Sequence, residues 1–272
     1  MAVKKIIKIA IFASITLFFS FSNGHGGFSL GISPVRWEAA GKPGKTLRKV
    51  VVLTGGAGAI QKVKVGVGDW TLSEDGAPIF GKSGTMPESA ASWIRYHPAE
   101  LNVYPRQRKI VRLSIRIPDA TPSGCYRVAL FFEPPQSDEE GRKGATSVFL
   151  RGRLALLIYV TVGDARPEGE ILDTAWRVII KGRKPVPALK VHNRGNAHLR
   201  MNGIFAARTL SGKKFEGIIP ALPILPGQTR WIPLEFQGEA PPPNSDLDLT
   251  LHVDLGDGER KVGVKIPGKS ES

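Results

Sequence analysis

From residue 46 onward apolar and polar positions alternate along the chain. In IQKVKVGVGDW (60–70), Val63, Val65 and Val67 alternate with Lys62, Lys64 and Gly66. That is the pattern of a strand with one face on a core and the other in water. TLRKVVVLT (46–54) is β-branched and partly alternating, and Gly55-Gly56-Ala57-Gly58 between the two reads as a turn. Further strands are predicted over 92–96, 101–104, 110–117 and 126–132. A charged loop over 136–144 then leads into a long strand, SVFLRGRLALLIYVTV, over 147–162. After Gly163-Asp164-Ala165-Arg166-Pro167-Glu168-Gly169 the pattern restarts, with strands predicted over 170–180, 187–192, 199–210, 229–236, 247–255 and 260–266. Pro-rich breaks fall at 220–226 and 240–243. No segment shows sustained helical spacing with caps. Short strands divided by Gly and Pro turns predict an all-β chain of two immunoglobulin-like β-sandwich domains in series, over 27–163 and 168–268.

The first residues change the expected compartment. Lys4, Lys5 and Lys8 give a basic start, residues 9 to 21 carry no charge, and small polar residues follow. This is the layout of a cleaved signal peptide over 1–24, and the apolar run is short for a span of about 20 residues. The remaining 248 residues hold 35 basic and 24 acidic side chains, a net charge of +11. In an exported protein such a charge reads as a solvated basic surface, or a field that steers an acidic partner, rather than a nucleic-acid site. The single cysteine, Cys125, excludes an intramolecular disulfide. In its apolar strand it reads as a small core residue.

Several motifs invite chemistry and fail on context. GAPIFGKS (76–83) fits the phosphate-binding loop letter for letter. That loop works only between a buried strand and the N-terminus of a helix. Here DWTLSED reads as a strand entering a turn, and Gly84 and Pro87 stand where the helix should run. Gly27-Phe28-Ser29-Leu30-Gly31 fits the nucleophile elbow, but the expected cleavage just upstream leaves no room for the preceding strand. His192 and His198 flank a polar Asn/Gly turn with no Cys or carboxylate at ligand spacing. Asp69, Glu74 and Asp75 do not have the spacing of a calcium loop and read as a hairpin. Trp37, Trp70, Trp93, Trp176 and Trp231 are scattered through strands and read as packing residues. No set of side chains in a fitting context supports catalysis, so neither enzymatic activity, nucleotide, metal nor other cofactor is expected.

Four stretches, in order, resemble the periplasmic PapD-like pilus chaperones. They are ISPVRWEAAGKPGKTLRKVVVLTG, then HPAELNVYPRQRKIVRLS with Pro98, Leu101, Pro105, Gln107 and Arg112 in place, then PSGCYRVALFFEPP, and the long strand over 147–162. LKVHNRGNAHLRMNGI in the second half resembles that family's later strand pair. The resemblance implies two immunoglobulin-like domains and a periplasmic chaperone that holds unfinished surface-fibre or secreted subunits by donating a strand. Backbone hydrogen bonds then give affinity and alternate apolar side chains give fit. Its partners would be exported subunits with an open sheet edge, and a self-capping dimer is compatible with the same edge.

The long strand has what this role requires. Val148, Leu150, Leu154, Leu156 and Ile158 point one way, and a strand apolar on both faces has partners on both. A central core strand explains most of the same pattern. The resemblance further implies a basic pair that anchors the subunit's terminal carboxylate. Arg36 matches its first member. Where the family has lysine for the second, this chain offers Arg151 or Arg153, and arginine grips a carboxylate bidentately. The rival reading is a structural or adhesive cell-surface protein built of the same domains.

Overall fold

The computed structural model describes residues 29–135, 152–179 and 182–268. The expected signal peptide over 1–24, Gly27 and Phe28, the charged loop over 136–144, and Val148, Leu150 and Arg151 lie outside the described residues.

The first half forms strands β1 (Leu30–Ser33), β2 (Arg36–Gly41), β3 (Thr46–Gly55), β4 (Gln61–Leu72), β5 (Pro78–Gly81), β6 (Ile94–His97), β7 (Glu100–Val103), β8 (Arg108–Arg116), β9 (Gly124–Glu133) and β10 (Leu154–Val162). One sheet runs β1-β3-β8-β6 and the facing one β2-β10-β9-β4-β5, with β7 on β4. Val51, Leu53, Val111, Ile115, Val128, Leu130, Leu156 and Ile158 fill the space between them, fully buried. These are the alternate positions that the period-2 pattern assigns to a core. ISPVRWE, read as one strand, is two. Pro34 supplies no N–H to a ladder, and there the chain crosses between sheets: β1 pairs antiparallel with β3, and β2 parallel with β10.

The second half forms β11 (Gly169–Arg177), β12 (Val186–Asn193), β13 (Leu199–Arg200), β14 (Asn202–Thr209), β15 (Lys214–Ile219), β16 (Pro223–Ile224), β17 (Thr229–Pro233), β18 (Glu235–Phe236), β19 (Leu247–Asp254) and β20 (Glu259–Ile266). The sheets β11-β12-β17 and β18-β15-β14-β19-β20, with the short pair β13-β16, enclose a second core of Leu189, Met201, Phe205, Ile224, Ile232 and Leu251. The expected all-β, two-sandwich fold is therefore what the chain forms. The predicted strand over 199–210 is divided at Met201, which turns into that core. β15 and β16 were not predicted. Both are short, and the proline break over 220–226 masks β16.

GAPIFGKS is a hairpin. Gly76 takes the turn with φ of 83°, and β5 returns along β4 with Phe80 opposite Trp70. The backbone N–H groups just after the motif do hold an anion, and it is the chain's own. Gly84, Thr85 and Met86 donate to the Asp69 carboxylate at 3.1, 2.7 and 2.8 Å, and the Ser89 hydroxyl donates at 2.5 Å. Asp69 is 1% exposed. Its burial alone would raise the carboxyl pKa. The hydrogen bonds from Ser89, Met86, Gly84 and Thr85 outweigh that and hold it below the usual aspartate range.

Because the folded-state pKa is depressed, this stabilisation is present above the unfolded value of about 3.9 and disappears as pH falls through the folded value. Asp69→Asn is expected to cost about 2 kcal/mol at neutral pH, the usual worth of hydrogen bonds to a charged group. Urea midpoints of the two proteins, measured from neutral to acid pH, should converge on acidification. A gap that persists unchanged at pH 2 would show that the loop does not depend on the ionised carboxylate.

Candidate functional site

Strand alternation builds a polar cluster where the two sandwiches meet. On β2, Trp37 points into the first core, so Arg36 and Glu38 share the opposite face. Their side chains pair, Arg36 Nε to Glu38 Oε1, at 3.0 Å. Next door on β10, Leu157 stands opposite Arg36 and Tyr159 opposite Glu38. From the second sandwich, Leu199 points into its own core, which turns His198 and Arg200 toward the first. Arg200 Nε donates to the same Glu38 Oε1 at 2.5 Å, and His198 Nε2 lies 3.3 Å from Glu38 Oε2. One carboxylate thus joins three donors from both halves of the chain.

Apolar and aromatic groups close around this cluster. Tyr159 is 1% exposed. The His198 ring lies 4.5 Å from its ring, Arg200 Cζ sits 5.3 Å from the ring centroid, and Trp70 meets it edge-on at 4.8 Å. Leu225 of the second sandwich packs among Trp70, Leu72, Cys125 and Phe131 of the first. Arg230 reaches across as well, donating from Nη2 to the Asp75 carbonyl at 3.3 Å and from Nη1 to the Pro223 carbonyl at 2.9 Å. A Cβ on Gly76 would fall 2.0 Å from Arg230 Cζ. The first glycine of the phosphate-loop look-alike therefore serves a turn and this crossing arginine. The Nε of Arg230 has no partner among the described residues.

The protonation states follow from burial and charge. Burial alone would raise Glu38, but the Arg200 charge and the His198 contact outweigh it and hold the carboxyl below its usual range. Burial lowers His198, and Glu38 only partly offsets that. His198 is thus neutral at neutral pH. With Nε2–H donating to Glu38, Nδ1 is left to accept the Cys125 thiol at 3.5 Å. Cys125, His198 and Glu38 line up as a nucleophile, base and orienting acid would. However, Cys125 is 3% exposed and burial pushes its thiol pKa up, which is the opposite of what an attacking thiolate needs. The cluster grips carboxylate.

The residues picked out from the sequence are placed as follows. Arg36 is in the cluster. Arg153 precedes β10, about four residues and some 13 Å along the strand from Arg36's neighbour Leu157. It pairs instead with Glu133 at 2.9 Å and covers the Phe131 ring at 4.4 Å. The two arginines are not brought together. Leu156 and Ile158 are fully buried in the molecule's own core, and Leu154 packs against it. Leu156 and Ile158, expected on a donor strand, thus lie in the molecule's own core. What stays open is an edge. Pairing of β2 along β10 begins at Leu157, whose N–H donates to the Val35 carbonyl at 3.1 Å. Residues 154–156 pair only with β9 among the described residues, and Val35 beside them is 64% exposed. His192 bonds Thr229 at 2.9 Å and does not approach His198's partners. Sequence reasoning missed Glu38, Arg200 and Arg230, and weighed His198 only as a metal partner of His192. The one available signal was alternation, which puts Glu38 on the face of Arg36 and Arg200 on that of His198.

No family profile matches the chain, and no curated protein matches it. Solved structures do. The class 5 fimbriae chaperone CfaA is 13% identical, with 87% of this chain and 97% of that one covered and a TM-score of 0.46. The E. coli chaperone DraB is 15% identical, with 89% and 98% covered and a TM-score of 0.43. The complex of CsuC with CsuE, a chaperone and tip subunit of Acinetobacter baumannii Csu pili, matches at 12% identity, with 88% and 98% covered and a TM-score of 0.43. These likenesses, all at TM-scores below 0.5, are to chaperones of fimbriae and pili.

Proposed function

We propose that the protein is a periplasmic chaperone that caps exported subunits at an open sheet edge. The observation that carries this reading is one carboxylate oxygen, Glu38 Oε1, held by guanidinium groups from both sandwiches. Such a grip suits any carboxylate that reaches it. Arg200 takes the place that the sequence reading gave to Arg151 or Arg153. Glu38 is the resident occupant, which a client's terminal carboxylate displaces.

The open edge supplies the rest. A client strand laid along residues 148–156, parallel to β10 as β2 is, would run end-on into β2. Its last residue would meet Arg36. Backbone hydrogen bonds along this edge give affinity, with Val148 and Leu150 as the donated apolar side chains and Leu154 at the inner end. The client's own unpaired edge, an aggregation hazard when bare, would be covered in the same act. The domains expected over 27–163 and 168–268 then divide the work, the first providing edge and Arg36, the second Arg200. The reading involves no catalysis.

Purification from the protein's own cells under gentle conditions, followed by mass spectrometry, tests this. A stoichiometric β-rich exported subunit should accompany the wild type. Arg36→Ala and Arg200→Ala should each reduce its recovery about tenfold or more, from the worth of a charge-assisted hydrogen bond. Arg153→Ala should leave it unchanged. If nothing co-purifies, or if the partner is indifferent to both grip variants, strand capping at this site is wrong and the structural or adhesive reading takes its place.

Glu38→Gln separates occupancy from architecture. It removes the competing charge while keeping size and a hydrogen-bond acceptor. Its affinity for a peptide of a client's last strand should rise severalfold over wild type, measured by calorimetry, and amidation of the peptide's C-terminus should abolish the gain. Equal gains for acid and amide peptides would mean that Glu38 does not compete with a carboxylate.

A further inference from the structure

The outer face of the β1-β3-β8-β6 sheet belongs to the sheet that does not contain β10. Arg108, Arg112 and Arg116 lie along it on β8, Arg48 on β3, and Arg95 with His97 on β6, all exposed. The register places Ser114 directly opposite both Arg48 and Arg95, two positions from Arg112. Three arginine positions thus flank Ser114 on the face. Val50 and Ile110, 46% and 45% exposed, stand among them. The other outward positions are Thr46, Val52, Thr54, Gly31 and Ser33, so the face carries no acidic residue.

Counter-charge is scarce here. Arg116 meets Asp119 at the rim at 3.6 Å. Arg95 donates to the backbone carbonyls of Ser92 and Ile94. Arg48, Arg95, Arg108 and Arg112 form no ion pair among the described residues. Like charges on neighbouring strands oppose sheet pairing, a cost that an external anion removes. We propose that this sheet face docks the protein on an anionic phospholipid bilayer. Arginine forks match phosphodiester oxygens. Exposed apolar side chains set among the cations reach the boundary between headgroup and acyl chain, as in other interfacial elements. Cations spread over three neighbouring strands of an exposed sheet face suit an array of headgroups, whereas a folded acidic protein would have to bring its own matching relief. The β10 edge belongs to the facing sheet, so docking leaves the capping site free.

Vesicle co-sedimentation of the purified protein, with phosphatidylcholine alone or mixed with phosphatidylglycerol, tests this. Binding is expected only to the mixed vesicles, weakening as salt rises. The triple variant Arg48→Gln, Arg95→Gln, Arg112→Gln should bind roughly a hundredfold more weakly, at about fivefold per cation near the surface, with an unlowered melting temperature. A control of equal charge, Arg208→Gln, Lys261→Gln, Lys265→Gln, removes exposed cations from the second sandwich and should bind like wild type. Val50→Ser with Ile110→Ser should weaken vesicle binding severalfold and leave binding to dextran sulfate unchanged. No binding to mixed vesicles at low salt, or equal losses in both triple variants, overturns the proposal. Vesicle binding untouched by the Val50 and Ile110 changes overturns it in favour of a soluble polyanion.

Discussion

The junction of the two sandwiches is organised around one carboxylate position, which Glu38 fills. Glu38 sits where Arg36, Arg200 and His198 converge, with Arg230 close behind. With no carboxylate there, cations from both halves would face each other across a partly buried seam, a costly arrangement for unpaired charge. With it, Arg200 is held over Tyr159, Tyr159 against Trp70, and Trp70 beside Leu225. The apolar seam is therefore arranged around a polar centre. His198 carries the order to Cys125 through its neutral ring, and burial raises the thiol's pKa.

The same short strand, β2, determines what remains open. Its parallel pairing with β10 covers residues 157–162 and stops at Arg36. Pro34 then diverts the chain to the other sheet. One proline thus fixes three things: where the covered edge ends, where the exposed Val35 stands, and that the first available cation lies at the end of the open edge. Carboxylate grip and free edge are adjacent because both are consequences of where β2 begins.

Period-2 alternation made most of the strands legible from the residues, and their number and spacing made the two-sandwich fold legible. Of the cluster around Glu38, the sequence singled out only Arg36 for a carboxylate. Arg36 was found through a resemblance, and its second cation was sought on the same long strand because the resemblance put it there. Arg153 instead finds a local acid, Glu133, which sequence distance hid. Arg200 is 164 positions from Arg36, and nothing in a linear pattern joins β2 to β13. The long strand misled for a related reason. Val148, Leu150, Leu154, Leu156 and Ile158 look alike in the sequence, but Leu156 and Ile158 fall within the reach of the facing sheet. Alternation reports which side chains share a face, not where along the strand that face stops being covered.

An open apolar edge is a hazard to the molecule that carries it as well as to a client. Here the approach to the edge is charged. Arg153 stands at its entry, pinned between Glu133 and the face of Phe131, and Arg151 precedes it in the sequence. Charged side chains at a strand edge oppose indiscriminate pairing while leaving the backbone groups accessible. In the proposed capping, a partner strand ending in a free carboxylate would meet Arg36 and Arg200. If the proposed capping holds, charge at one end of the edge and the arginine pair at the other would favour a strand that ends in a free carboxylate.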